Sequence, residues 1–146
     1  MANAEFGEMM KHFGDTVTVI DCTFTKGADH LRQGLERIRA EAADAVSSGA
    51  GHIVLTDQHQ SEERIGMPMI LATSAVHSWL TRKGLRTFCS INVRSAECID
   101  PHYFAVLIGS GATTVNAYLA EAAIVDRHTR GLFGDLSLDE CLKRHR

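Results

Sequence analysis

Long apolar runs are missing from this 146-residue chain, and none approaches the ~20 residues of a membrane span. That leaves no candidate membrane helix. The N-terminus carries Glu5 and Glu8 and no extended apolar stretch, so it does not read as a signal peptide. Basic charge is also scarce. The net charge is -3 and the pI near 6.2, which argues against affinity for nucleic acid through a cationic surface. The single basic cluster, Lys143, Arg144, His145 and Arg146, reads as cations placed at a helix C-terminus. Cysteines number only four. Cys22, Cys89, Cys98 and Cys141 are spaced like neither a zinc knuckle nor a disulfide framework, and a reducing cytoplasm is expected. No His-x-x-x-His pair exists, and His52, His59, His77 and His102 fall in different predicted elements, so no metal site is expected. A complete eight-fold β/α barrel needs about 250 residues and is excluded by length.

What is present is one domain's worth of ordinary globular composition, 45% hydrophobic and 23% charged. Phe6, Met9, Met10 and Phe13 recur at helical spacing before Gly14, which predicts a helical segment over 1–14. The β-branched run Thr16 to Ile20 predicts a strand that ends at Asp21. Leu31, Leu35, Ile38, Ala42 and Ala45 mark the inner face of a long helix, closed by Gly49 and Gly51. A second strand runs His52 to Thr56 and ends at Asp57, and the polar stretch Gln58 to Gly66 reads as a loop. Pro68 opens a helix whose apolar face is Leu71, Ala72, Ala75, Val76, Trp79 and Leu80. Leu85 to Val93 is the third strand. Asp100-Pro101 starts a short helix, Tyr103 to Ile108, apolar on all sides and so expected to be buried. Ala112 to Val115 is the fourth strand, ending near Asn116, and Tyr118 to Val125 a further helix. Ser137 and Glu140 form a capping box for a terminal helix.

Strand and helix alternate, so the expected fold is α/β: about four parallel strands with right-handed crossovers, a half-barrel or an open sheet. We expect a single domain over 1–146, with a β/α core at 16–127 and a tail at 128–146. In such folds the functional face lies at the carboxyl ends of the strands. Those ends offer Asp21, Asp57, Asn92 or Arg94, and Asn116, and His102 opens a helix close behind one of them. Asp21, Asp57, His102 and Asn116 are the candidate rim or ligand contacts. Asp and Asn at these places also cap helices and satisfy loop amides, and that alternative stands beside the functional one. Gly109-Ser110-Gly111 precedes a strand rather than opening a helix, so it matches no phosphate-binding loop. Cys22, beside Asp21, is the thiol best placed for a nucleophile, against the commoner buried thiol.

Several short segments together resemble a known family. They are Asp21-Cys22-Thr23-Phe24, Glu41-Ala42 with Ala45-Val46 before Gly49-Ala50, Leu55-Thr56-Asp57, and Pro68 with Leu71-Ala72. Further on come Ala75-Val76-His77, Gly84-Leu85-Arg86, His102, Gly109, Gly111-Ala112, Asn116 and Tyr118-Leu119-Ala120. From about Thr18 onward the chain resembles the later portion of the central domain of the glutamate synthase large subunit. Gln58, Ile99, Tyr103 and Ala117 depart from its pattern. The resemblance implies a non-catalytic scaffold between a glutamine-hydrolysing amidotransferase domain and a flavin-bearing synthase domain, where ammonia joins 2-oxoglutarate. FMN and an iron–sulfur cluster would belong to that neighbouring domain, with none in this chain. Residue 1 is Met1 followed by Ala2, so no N-terminal cysteine nucleophile is offered, and the isolated chain is expected to be inactive. The alternative is a stand-alone small-molecule binder or enzyme that uses the strand-end rim. Because four strands do not close a barrel, a homodimer burying more than about 1,000 Å² is also expected.

Overall fold

In the computed structural model, residues 1–145 are described; Arg146, the last of the terminal basic cluster, lies outside them. The β-branched and apolar runs form four strands, β1 (Val17–Asp21), β3 (His52–Thr56), β5 (Ser90–Arg94) and β6 (Thr114–Asn116). They make one parallel sheet in the order β1-β3-β5-β6. Chain order therefore equals spatial order. With right-handed crossovers that arrangement sends every connecting helix to the same face, as in a segment of a barrel wall. The helices are α2 (His30–Ser47), α3 (Met69–Arg82) and α4 (Pro101–Gly109), followed after β6 by α5 (Tyr118–Thr129) and α6 (Leu138–His145). The core forms where Ile38, Ala42 and Val46 of α2, Ala72, Val76 and Leu80 of α3 and Leu107 of α4 meet Ile20, Ile53, Leu55, Ile91, Val93 and Val115 of the sheet.

The opposite face of the sheet presents the alternate residues, among them Val19, Val54, Asn92, Arg94 and Asn116. The N-terminal helix α1 (Asn3–Phe13) crosses this face. At one end the Met1 amino group donates to Val115 O at 3.0 Å. At the other, the Phe13 ring packs 3.8 Å from that of His52, at the amino end of β3. Phe6 is the buried anchor between them, and burying a phenylalanine contributes about 1.5–3 kcal/mol. Gly14 ends the helix with φ +45°, a backbone conformation that glycine adopts without steric cost.

Several local expectations need correction. The polar stretch Gln58 to Gly66 is not all loop: β4 (Arg64–Gly66) pairs antiparallel with β2 (Thr23–Thr25) in a small ribbon beyond the sheet's carboxyl edge. Its side chains are too polar and its strands too short to show an alternating pattern. The third strand is shorter than expected, since Arg86–Phe88 form a 3₁₀ turn before β5. Helix α4 is not buried all round. Only Leu107 is buried, and Ile108 is 57% exposed, because α4 packs at the margin of the helical layer. Leu71 likewise points outward from α3.

A latch of three residues joins α3 to the turn before β6. Arg86 Nε donates to His77 Nδ1 at 2.9 Å, and its Nη2 donates to Gly111 O at 2.8 Å. Gly111 has φ +114°, and a Cβ placed there would lie 2.4 Å from the His77 ring. Gly111→Ala is therefore expected to destabilise the fold by about 2 kcal/mol or more, through backbone strain and the ring clash together. Urea denaturation of the wild type, Gly111→Ala, and Gly111→Ala with His77→Ala checks this. The second change should recover only part of the loss, since the strain at φ remains.

Candidate functional site

All four parallel strands end on polar residues at one edge of the sheet, as register shows: Asp21 stands opposite Thr56, Thr56 opposite Arg94, and Arg94 opposite Asn116. Asp21, Asp57 and Asn116 thus share the carboxyl edge. His102 lies on the exposed first turn of α4, and no hydrogen bond ties it to the other three among the described residues.

Each of the three rim residues is engaged by its own chain. Asp21 Oδ1 accepts from Thr23 N at 2.9 Å, and Oδ2 accepts from Thr23 Oγ1 and from Arg64 Nη2, each at 3.0 Å. Arg64 also donates from Nε to Thr23 Oγ1, so this half-exposed pair fastens the β2–β4 ribbon to the sheet. Asp57 is 1% exposed. Both its oxygens accept from Ala96 N, at 3.1 and 2.9 Å, and Oδ2 also accepts from Ser95 Oγ at 3.4 Å. It therefore organises the turn after β5. Burial raises the Asp57 pKa against the lowering effect of these bonds. Burial beside Asp57 pushes the Tyr118 phenol up to about 12. Asn116 Nδ2 donates to Met1 O at 3.1 Å and to Asn3 Oδ1 at 2.9 Å, which holds the start of α1 against the rim.

Cys22 is fully buried, and burial next to Asp21 pushes its thiol up to about 12. A neutral, enclosed thiol is not a nucleophile at physiological pH. Among the described residues no three His, Cys, Asp or Glu side chains group as metal ligands. The four cysteines are free, buried and spread over separate segments, so they do not fit an iron–sulfur cluster. No glycine-rich turn of the phosphate-binding kind opens a helix after a strand.

Residue reading undervalued Arg94, which it placed only as an alternative to Asn92. Its guanidinium lies 4.7 Å from the Phe6 ring and 5.3 Å from the Tyr118 ring. Strict alternation along β5, with Ile91 and Val93 on the helix side, was the signal that Asn92 and Arg94 share the other face.

The chain matches the family described as glutamate synthase central domain over residues 1–145. It belongs to that family. The match takes in α1, which the resemblance, beginning near Thr18, left out. The glutamate synthase [NADPH] large chain of Azospirillum brasilense is 53% identical over 148 residues, covering 100% of this chain and 10% of that protein. The corresponding large chain of Bacillus subtilis is 38% identical over 126 residues, covering 86% of this chain and 8% of its own length. The chloroplastic ferredoxin-dependent glutamate synthase of Spinacia oleracea is 41% identical over 92 residues, 62% of this chain and 6% of that protein. This chain thus spans about a tenth of the length of the large chains it matches.

The raised pKa of Asp57 carries a definite sign. Below its ordinary value of 3.8 both folded and unfolded chains hold the proton, and the group opposes folding least. As pH rises the unfolded chain ionises first, so stability falls until the folded carboxyl has also ionised. Asp57→Asn removes this titration. The stability of wild type relative to Asp57→Asn should decline as pH rises above the ordinary value of 3.8, read by urea denaturation over a pH series.

Proposed function

We propose that this domain is a non-catalytic scaffold of a glutamate synthase-type enzyme. It holds an amidotransferase domain and a flavin-bearing synthase domain in register for glutamate formation from glutamine and 2-oxoglutarate. One observation carries the reading: at the carboxyl edge, where β/α folds place their chemistry, each of three polar residues holds a segment of its own chain, Asp21 the β2–β4 ribbon, Asp57 the turn after β5 and Asn116 the start of α1. Family membership and the small share of the relatives' length support it. FMN and an iron–sulfur cluster then belong to the neighbouring domain, and Asp21, Asp57 and Asn116 are positioning residues of the scaffold. Among the described residues no helix is long and apolar enough to cross a membrane. Four free thiols fit a reducing cytoplasm.

The test has two parts. The 146-residue chain, supplied with glutamine, 2-oxoglutarate and a reductant, should release no ammonia or glutamate above the blank and carry no stoichiometric flavin absorbance; steady turnover would end the proposal. In a full-length glutamate synthase containing this domain, Asp57→Ala leaves the Ala96 N–H without its acceptor, at a cost of about 1–3 kcal/mol. Glutamine-dependent synthesis should then fall severalfold while ammonia-dependent synthesis is retained. Equal loss of both would contradict a role in register.

We also propose that the isolated chain self-associates. Each outer strand of the sheet, β1 and β6, pairs on one side only, and Val19 of β1 is 48% exposed. Unpaired edges of this kind are templates for a second strand. Sedimentation equilibrium at micromolar concentration should return a dimer, and a 16.0 kDa monomer would refute it.

A further inference from the structure

Arg94 has no counter-charge among the described residues. Among the described residues no oxygen accepts a hydrogen bond from its guanidinium, no carboxylate lies within ion-pair distance, and its Nε is buried without a partner. Asp57, the nearest acidic residue along the rim in strand register, is turned to Ala96 instead. A half-buried guanidinium normally finds a carboxylate or several carbonyls, because its five N–H donors lose water on burial. Here the two aromatic contacts with Phe6 and Tyr118 fix the plane of the group and supply no acceptor.

Arg94 also lines a cavity of about 200 Å³ between α1 and the carboxyl end of the sheet. Its walls are of two kinds. Phe6, Val19 and Val54 form an apolar side, and Gln58, His59 and Arg94 a polar one. At roughly 30 Å³ per water, the space is too small for a nucleotide and ample for a short organic acid. One planar cation favours a bidentate carboxylate. A phosphate would need more positive charge than the single guanidinium provides, and it would gain nothing from the apolar wall.

We propose that Arg94 anchors a binding site for a small aliphatic carboxylate beneath α1, its alkyl part against Phe6, Val19 and Val54. The site goes beyond the scaffold reading and stands or falls separately from it, since a scaffold needs no ligand.

Propionate is the probe. It is titrated into the 146-residue chain at constant ionic strength, and the arginine Nε–Hε signals are followed by NMR. A saturable shift of the Arg94 signal is expected, with a Kd of about 1–10 mM, the range of a single anchored contact. Arg94→Gln should weaken binding at least about tenfold, as followed on the backbone amides of Phe6 and Val54. Arg32→Gln, far out on the exposed surface of α2, should leave it unchanged. Should Arg94→Gln fail to fold, Arg94→Lys keeps the charge without the planar fork, and must also weaken binding. Phosphate at matched ionic strength should produce no saturable shift. Equal binding of phosphate would overturn the carboxylate assignment. A propionate response that does not saturate, or that persists in Arg94→Gln or Arg94→Lys, would overturn the site itself.

Discussion

Right-handed crossovers place α2, α3 and α4 on one face of a four-stranded parallel sheet, and something else must cover the other. That requirement shapes the rest of the molecule. The helix-facing positions are Ile, Val and Leu and form an ordinary core. The opposite positions are mixed, and in β5 and β6 they are polar throughout. Polar side chains that lose water need partners. Part of the solution lies within the sheet: Thr114 Oγ1 donates to Asn92 Oδ1 at 2.7 Å, Asn92 Nδ2 donates to Ser90 Oγ at 2.9 Å, and Ser90 Oγ lies 2.8 Å from His52 Nδ1. The remainder comes from α1, which brings Met1 O and Asn3 Oδ1 to Asn116 and sets Phe6 against Arg94.

The strand-end acids show how one residue pattern can serve structure or chemistry. Asp21 and Asp57 follow the same logic: each strand delivers a carboxylate to the edge, where backbone amides of the next turns need an acceptor. Asp21 holds Thr23 and the β2–β4 ribbon, and Asp57 holds Ala96 and the turn leading to α4. Glu97 repeats the device one step later, with Oε2 accepting from Met69 N at the start of α3 and from the Tyr103 hydroxyl. Three carboxylates thus fix the loops over the sheet, and none is left presented as a pair for acid–base work. Arg94 is the exception, because its charge is half-buried and answered by none of the described residues.

The strands were legible because β-branched residues are concentrated there, and the register of their polar ends followed from where each run stopped. The capping box was legible too: Ser137 and Glu140 exchange hydrogen bonds before α6 as their spacing requires. The β2–β4 ribbon was not, since its pairing depends on Arg64 reaching back to Thr23, a contact between segments 41 residues apart. Nor could the place of α1 be read. Its amphipathic face was evident from Phe6 and Met10, yet its seat depends on Met1 meeting Val115 at the far end of the chain. Composition likewise mistook α4 for a buried helix, because an apolar helix at the margin of a layer looks the same in sequence as one inside it.

The residues that carried the family resemblance divide by physical role. His77, Arg86 and Gly111 form one latch, in which the glycine is required by both φ and the nearness of the imidazole. Asp57 and Asn116 are buried and hydrogen-bonded at the rim, where a substitution would strand a partner. The positions that depart from the resemblance are of both kinds, since Tyr103 donates to Glu97 and Ala117 is buried. Ile99 is 68% exposed, and Gln58 borders the cavity below α1. Arg94 is the only permanent cation among the residues lining this cavity. Gln58 thus sits beside the one charge that none of the described residues answers, on the wall where the chemistry of a ligand would be read.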